Sequence, residues 1–197
     1  GQAVEEKRYQ YLMLHKPAGL LTAARDSRAP TVMQLLPESC ARRKVLPVGR
    51  LDKDTTGLLL FTNDGELAHR LLSPKRHVWK TYEATVTGRL TAADEEAFAR
   101  GITLSDFTAL PARMEILSAG EDESRARVQV REGKFHQIKR MFGALGHEVT
   151  ALSRLTFGAL RLPAELPPGQ YRELTEEELS ALREEAGLTE SERNEDA

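Results

Sequence analysis

The sequence predicts an α+β fold, with a mixed, mainly antiparallel sheet flanked by helices and arranged in two lobes. Three observations carry that prediction. Segments alternating with the period of a strand are interleaved with segments of helical spacing. Several neighbouring strands lack the connection of roughly a dozen residues that a parallel crossover needs. The 197 residues, 40% hydrophobic and 29% charged, suffice for one globular unit burying about 70% of its unfolded surface.

Each element follows from a local pattern. "YQYLMLHKPAG" reads as a strand over Tyr9–Leu14, stopped by Pro17 and Gly19, and "TVMQLLP" as a short helix begun at Thr31 and ended before Pro37. Leu58 to Phe61, an unbroken apolar run, predicts a buried central strand. In "DGELAHRLLSP" the residues Leu67, Leu71 and Leu72 have helical spacing. "KTYEATVTG" sets Tyr82, Ala84 and Val86 against Thr81, Glu83, Thr85 and Thr87, the alternation of a strand. "TAADEEAFARG" opens with a capping box of Thr91 and Asp94 and closes at Gly101. "RARVQVREG" alternates again, with Ala126, Val128 and Val130 inward. "KFHQIKRMFGALG" is a helix ended by Gly146, and "VTALSRLTFGALRL" supplies one or two further strands. "TEEELSALREEAG" has its own capping box, Thr175 with Glu178, and a stop at Gly187.

Composition narrows the function classes. Cys40 is the sole cysteine, which excludes an intramolecular disulfide framework or a thiolate metal cluster and suits a reducing cytoplasm. No apolar run reaches the 18 residues of a membrane span, and "GQAVEEKRYQ" has no signal-peptide core. The net charge of −2 is unevenly spread: residues 173–197 hold ten acids and two bases, so the rest of the chain is positive. A basic body suits a polyanionic partner such as RNA, while the acidic end reads equally as a solvated helix and tail.

The stretch "VGRLDKDTTGLLLFTNDG", residues 48–65, sets Asp52 and Asp54 just before a glycine and a strand. Asp52, Asp54, Thr56 and Gly57 match the start of a calcium loop. Asn63 stands where the closing bidentate glutamate belongs, however, so calcium is not expected. By themselves these acids also fit an ordinary turn. On the helix that follows "EGK", an apolar face of Phe135, Ile138, Phe142 and Leu145 carries Lys139 on its flank. Lys139 either snorkels to solvent or is paired with a carboxylate, for which Asp52 is the candidate. His136 and Arg140, with Lys134 and Gln137 close by, form either a phosphate-binding patch or a solvated helix surface. Tyr82 reads by default as a core tyrosine. The five histidines show no ligand spacing, so no metal site is expected, and no glycine-rich phosphate cradle is present.

In combination these segments are specific. "LHKPAG" at 14–19, "GRLDKDTTGLLLFTNDG" at 49–65, "KTYEATV" at 80–86 and "EGKFHQIKRMFGALGH" at 132–147 resemble, in order and spacing, the signature segments of the RsuA family of pseudouridine synthases. The resemblance runs from about Tyr9 to Leu174. The "HQIKRMF" segment is similar to the branch acting on small-subunit 16S ribosomal RNA, whereas the 23S branch tends to carry arginine where His136 stands. The resemblance implies a pseudouridine synthase catalytic domain over 9–174, preceded by a linker at 1–8 and followed by an acidic helix and tail at 175–197. Many family members carry a small N-terminal RNA-binding domain ahead of this strand, and the expectation here is the catalytic domain without it.

The implied activity is isomerisation of a uridine in RNA to pseudouridine, with no cofactor or metal. Asp52 is the implied nucleophile, Lys139 the basic partner that keeps it ionised in a dry pocket, and Tyr82 the ring that stacks on the base. Leu155 or a near neighbour is expected to cap the pocket, and Arg50 to contact the backbone or help extrude the nucleotide. Lys80, His136, Gln137, Arg140 and Arg154 are the remaining expected RNA contacts. The implied partner is ribosomal RNA, most simply 16S RNA in an assembling small subunit, bound by a monomer in the cytoplasm. The alternatives are a large-subunit 23S ribosomal RNA pseudouridine synthase and, from a different class, a non-catalytic ribosome-assembly factor using the same basic surface.

Overall fold

The structure, a computed structural model, describes residues 8–134 and 136–188. Phe135 of the expected helix face, and the outer parts of the expected linker and tail, lie outside the described residues. The chain runs β1 (Tyr11–Lys16), a single 3-10 turn (Val32–Leu35), α1 (Glu38–Arg42), β2 (Leu46–Pro47), β3 (Thr56–Thr62) and α2 (Gly65–Leu72). It continues through β4 (Lys80–Thr87), α3 (Ala92–Arg100), β5 (Arg113–Ala119), β6 (Glu123–Val130), α4 (Gln137–Ala144), β7 (Val149–Phe157), β8 (Leu160–Arg161), β9 (Tyr171–Glu173) and α5 (Glu176–Glu185).

One sheet organises the molecule, in the order β5-β6-β4-β7-β3-β1-β9, with β2 on β3 and β8 on β7. Every pairing is antiparallel except β3 with β7. The mixed, mainly antiparallel α+β expectation is therefore met. β3 is interior and covered on both faces, which is why Leu58, Leu59, Leu60 and Phe61 are all fully buried and why the sequence shows a continuous run there. Each such side chain contributes about 1.5–3 kcal/mol of burial.

One face of β1 and β3 packs Met13, Leu58 and Leu60 against Leu67 and Leu71 of α2 and Leu182 of α5. The opposite face packs Leu12, Leu14, Leu59 and Phe61 against Val32 and Cys40. A separate core lies under β4 and β6, where Ala84, Val86, Ala126 and Val128 meet Phe98 of α3 and Phe142 of α4. Tyr82 packs against both of the last two clusters and so sits at their junction.

Both capping boxes form: Asp94 accepts from the Thr91 amide at 2.9 Å, and Thr175 and Glu178 exchange bonds of 2.8 and 3.1 Å. The acidic helix α5 is docked rather than free. Its Arg183 lies 3.6 Å from Asp64, the N-cap of α2, and both side chains are buried. No described helix is long and apolar enough to cross a membrane.

Three expectations shift. β1 begins and ends two residues later than its pattern suggested, carrying Lys16 into the core. The 31–36 helix is only a 3-10 turn, with Thr31 accepting from the Met33 amide. α4 starts at Gln137 because His136, its N-cap, adopts a left-handed φ of 49° that no helix interior admits. Gly57 explains the glycine of the 48–65 stretch. Its φ is 109°, and a Cβ there would collide with the backbone of Arg154, its partner in the parallel β3–β7 pair.

Candidate active site

Asp52 and Asp54 lie on the segment between β2 and β3, and that segment is clamped from below by the chain following β1. Lys16, with no exposed surface, donates through Nζ to the carbonyls of Pro17 (3.0 Å), Lys53 (3.0 Å) and Thr55 (2.8 Å). Thr22 Oγ1 donates to the Leu51 carbonyl at 2.9 Å, and the Gly19 amide donates to the Lys53 carbonyl at 2.8 Å. Burial pushes the Lys16 ammonium down to about 8, against the upward pull of the Asp54 and Asp52 charges. Lys16 is a site residue that sequence reasoning missed; its signal was a lysine ending an apolar strand, immediately before Pro17.

Segment 131–134 and α4 reach the same place. Gln137 is 5% exposed. Its Nε2 donates to Glu132 Oε1 at 2.9 Å and its Oε1 accepts from the Lys134 amide at 3.2 Å, while Glu132 also accepts from the Leu110 amide at 2.6 Å. Gln137 thus braces the loop while still lining the cleft beside Asp52 and Lys139. A buried amide with these partners is held in one orientation.

Lys139 projects between the two carboxylates, with Nζ 2.7 Å from Asp54 Oδ1 and 3.2 Å from Asp52 Oδ2. Burial alone would lower the lysine pKa, but the hydrogen bonds it donates to Asp54 and then Asp52 outweigh it and hold the ammonium above its ordinary range. The hydrogen bond from Lys139 holds the Asp54 carboxyl below the usual carboxylate range. His136 Nε2 approaches Asp52 Oδ1 from the other side at 3.5 Å. The expected Asp52–Lys139 pair is therefore present but shared with Asp54.

These groups open onto a cleft of about 80 Å³ whose walls include Leu51, Val130, Ile138 and Leu152, with Tyr82 among its lining residues. Arg50, Lys134 and His136 also line it. Asp52, 29% exposed, and Lys139, 22% exposed, keep limited access to solvent. The arrangement presents an anionic oxygen, a fixed cation and an aromatic ring around a narrow space walled by both apolar and charged side chains. That combination suits chemistry on a flat, polar ring. Among the described residues, no three His, Cys, Asp or Glu side chains group as a metal ion would require.

The other expected contacts separate. Leu155 is not among the lining residues; Leu152 and Ile138 are. Arg154 is 3% exposed, donates through Nε to the Leu58 carbonyl at 2.9 Å and lies over the Phe157 ring, because β7 is enclosed between β3 and β4. It is a structural cation, not a surface phosphate contact. Lys80 is half-buried, 5.9 Å from the Phe157 centroid, and its pKa is pushed down to about 8 by burial and by Arg154, opposed by Glu132. Arg140 is paired with Asp106 and lies 5.7 Å from the Phe107 centroid, outside the cleft lining.

Comparison with known proteins agrees with this geometry. A family model described as RNA pseudouridylate synthase matches residues 10–144. An uncharacterized RNA pseudouridine synthase of Bacillus subtilis, YtzG, is 45% identical over 93% of this chain and 77% of its own length. The ribosomal small subunit pseudouridine synthase A of Escherichia coli is 41% identical over 88% of this chain and 74% of its own. A solved pseudouridylate synthase superposes with a TM-score of 0.82 at 39% identity, covering 88% of this chain and 74% of that one. The matched residues span the Asp52 segment, Tyr82 and Lys139, so sheet, cleft and sequence converge, and the chain belongs to the RNA pseudouridylate synthase family.

Proposed function

We propose that the chain isomerises one uridine of small-subunit 16S ribosomal RNA to pseudouridine, with Asp52 as nucleophile acting on a nucleotide flipped from its stack. The observation that carries this reading is the Asp52–Lys139 pair at 3.2 Å, in one cleft with Tyr82. An ionised carboxylate fixed by a neighbouring ammonium is a nucleophile already oriented before substrate arrives. Tyr82 stacks on the uracil, Leu152 and Ile138 exclude water, and Arg50 at the rim contacts the RNA backbone. Asp54 shares the charge of Lys139 and fixes its position. In the isomerisation the bond from ribose C1′ to N1 breaks, the uracil turns, and C5 bonds to C1′. The proton on C5 is released and N1 gains one, so no oxidant or reductant is consumed.

The cleft, at about 80 Å³, is far below the roughly 300–1,000 Å³ of a drug-sized ligand site. Rim side chains must therefore move to admit a nucleotide, and the few kcal/mol spent on unstacking are recovered in the contacts made. Likeness to the small-subunit enzyme of Escherichia coli, together with His136 rather than arginine at the start of α4, favours 16S over 23S RNA. We assign the activity to a monomer acting in the cytoplasm on assembling subunits.

The test is tritium release from RNA labelled at uridine C5, offered as 16S transcript, 23S transcript and partly assembled small subunits. Release confined to 16S-containing substrates is expected. Release from 23S RNA alone would move the target to the large subunit, and binding without release from any substrate would support the assembly-factor reading.

A further inference from the structure

We propose that Trp79 and Arg131 form a stacking site for an unpaired base of the substrate RNA flanking the target uridine. The proposal rests on the reading of the substrate as RNA. Trp79 is the only tryptophan in the chain and is 42% exposed. The Arg131 guanidinium lies over its ring, 5.4 Å from the centroid. Among the described residues no carboxylate is paired with that guanidinium, and its Nε has no hydrogen-bond partner. An aromatic ring backed by an unneutralised cation is the combination that proteins use to hold single-stranded bases.

The surroundings extend the site toward the cleft. The segment leading to Trp79 carries Lys75 and Arg76, both exposed, which gives the backbone of a polyanion its counter-charges. Leu72, 48% exposed, packs closely on Gly49, the residue before Arg50 at the cleft rim. Glu185 is turned to the Ala159 amide at 2.8 Å.

Strand register fixes how far the platform lies from the chemistry. β4 and β6 pair Lys80 with Val130, so Trp79 and Arg131 face each other one step beyond the last pair of the ladder. Val130 and Glu132, on either side of Arg131, both line the cleft. Trp79 is three residues from Tyr82, roughly 10 Å along a strand. Alternation places Lys80 and Tyr82 on one face and Trp79 on the other, so RNA leaving the cleft passes over the lip at residues 131–134 to reach the indole. Such a contact tolerates any base, because every base has a face to stack.

The single tryptophan makes the test direct. The full chain is titrated with octauridylate and with a fluorescein-labelled 16S fragment, following indole fluorescence and RNA anisotropy together. Quenching that saturates with binding is expected. Trp79→Ala should weaken Kd and raise KM by roughly 5- to 150-fold, the range for losing one stacked base, with kcat unchanged. Trp79→Phe should recover part of the loss, and circular dichroism verifies the fold of each variant. Indole emission that stays constant while anisotropy shows RNA saturating the wild-type chain would overturn the stacking site whatever the variants do. So would Trp79→Ala with wild-type Kd and KM. Either result leaves the synthase reading intact if wild-type tritium release persists, whereas absence of release from the wild type would sink that reading separately.

Discussion

Replacing Lys16 by methionine probes the buried clamp beneath Asp52 while preserving most of the side-chain volume. The ammonium donates to three carbonyls, of which that of Lys53 keeps a second donor, the Gly19 amide at 2.8 Å. The Pro17 and Thr55 carbonyls lose the donor that Lys16 supplies. Only the Thr55 bond is fully buried, so at about 1–3 kcal/mol per stranded buried acceptor the loss is roughly 1–3 kcal/mol. Removing a fully desolvated charge offsets part of this, leaving a net destabilisation of about 1–2 kcal/mol. The catalytic cost is separate. A loop that drifts by an ångström displaces the carboxylate from its reacting geometry and can lower turnover by about 100-fold. Urea denaturation measures the first effect, and tritium release at saturating RNA measures the second. A Lys16→Met variant with the wild-type midpoint and the wild-type kcat would refute the reasoning that the clamp positions the loop.

Lys139→Met should lower kcat far more than it weakens RNA binding, because the ammonium acts on Asp52 and Asp54; a change confined to salt-dependent affinity would place Lys139 on the RNA-binding surface instead. For Lys80 the expected effect is on the pH dependence of stability. Its pKa falls from 10.5 to about 8 on folding, so between those values the unfolded chain binds more protons and this residue's contribution to stability rises with pH. Lys80→Met removes that penalty: the variant should melt above wild type below pH 8 and lose its advantage as pH approaches 10.5. An advantage independent of pH, measured by thermal melts across the window, would contradict the assigned cause.

Legibility followed the range of the interactions involved. β4, β6 and the capped helices α3 and α5 are encoded in residues two to four apart, so alternation and capping boxes revealed them. β3 was visible because both its faces are buried. β5 was not, because it is an edge strand whose residues beyond Ile116 are exposed, which erases the alternation. β2 and β9, of two and three residues, exist only through their partners.

The site divides in the same way. Asp52, Tyr82 and Lys139 were found through segments resembling a known family, and the cleft brings them together. The burial of Arg154 and Gln137 was not legible and Lys16 was missed, because a polar residue in sequence is taken as solvent-facing by default. Their burial arises from long-range pairing: β7 against β3, Glu132 against Leu110, and β1 against the 53–55 loop.

The most direct test of the proposed nucleophile is Asp52→Asn, an almost isosteric change that removes the carboxylate oxygen facing Lys139. Tritium release from the wild-type chain's substrate should fall to background, while RNA affinity and the melting transition stay close to wild type. Release at the wild-type rate from a folded Asp52→Asn chain would remove Asp52 from the chemistry.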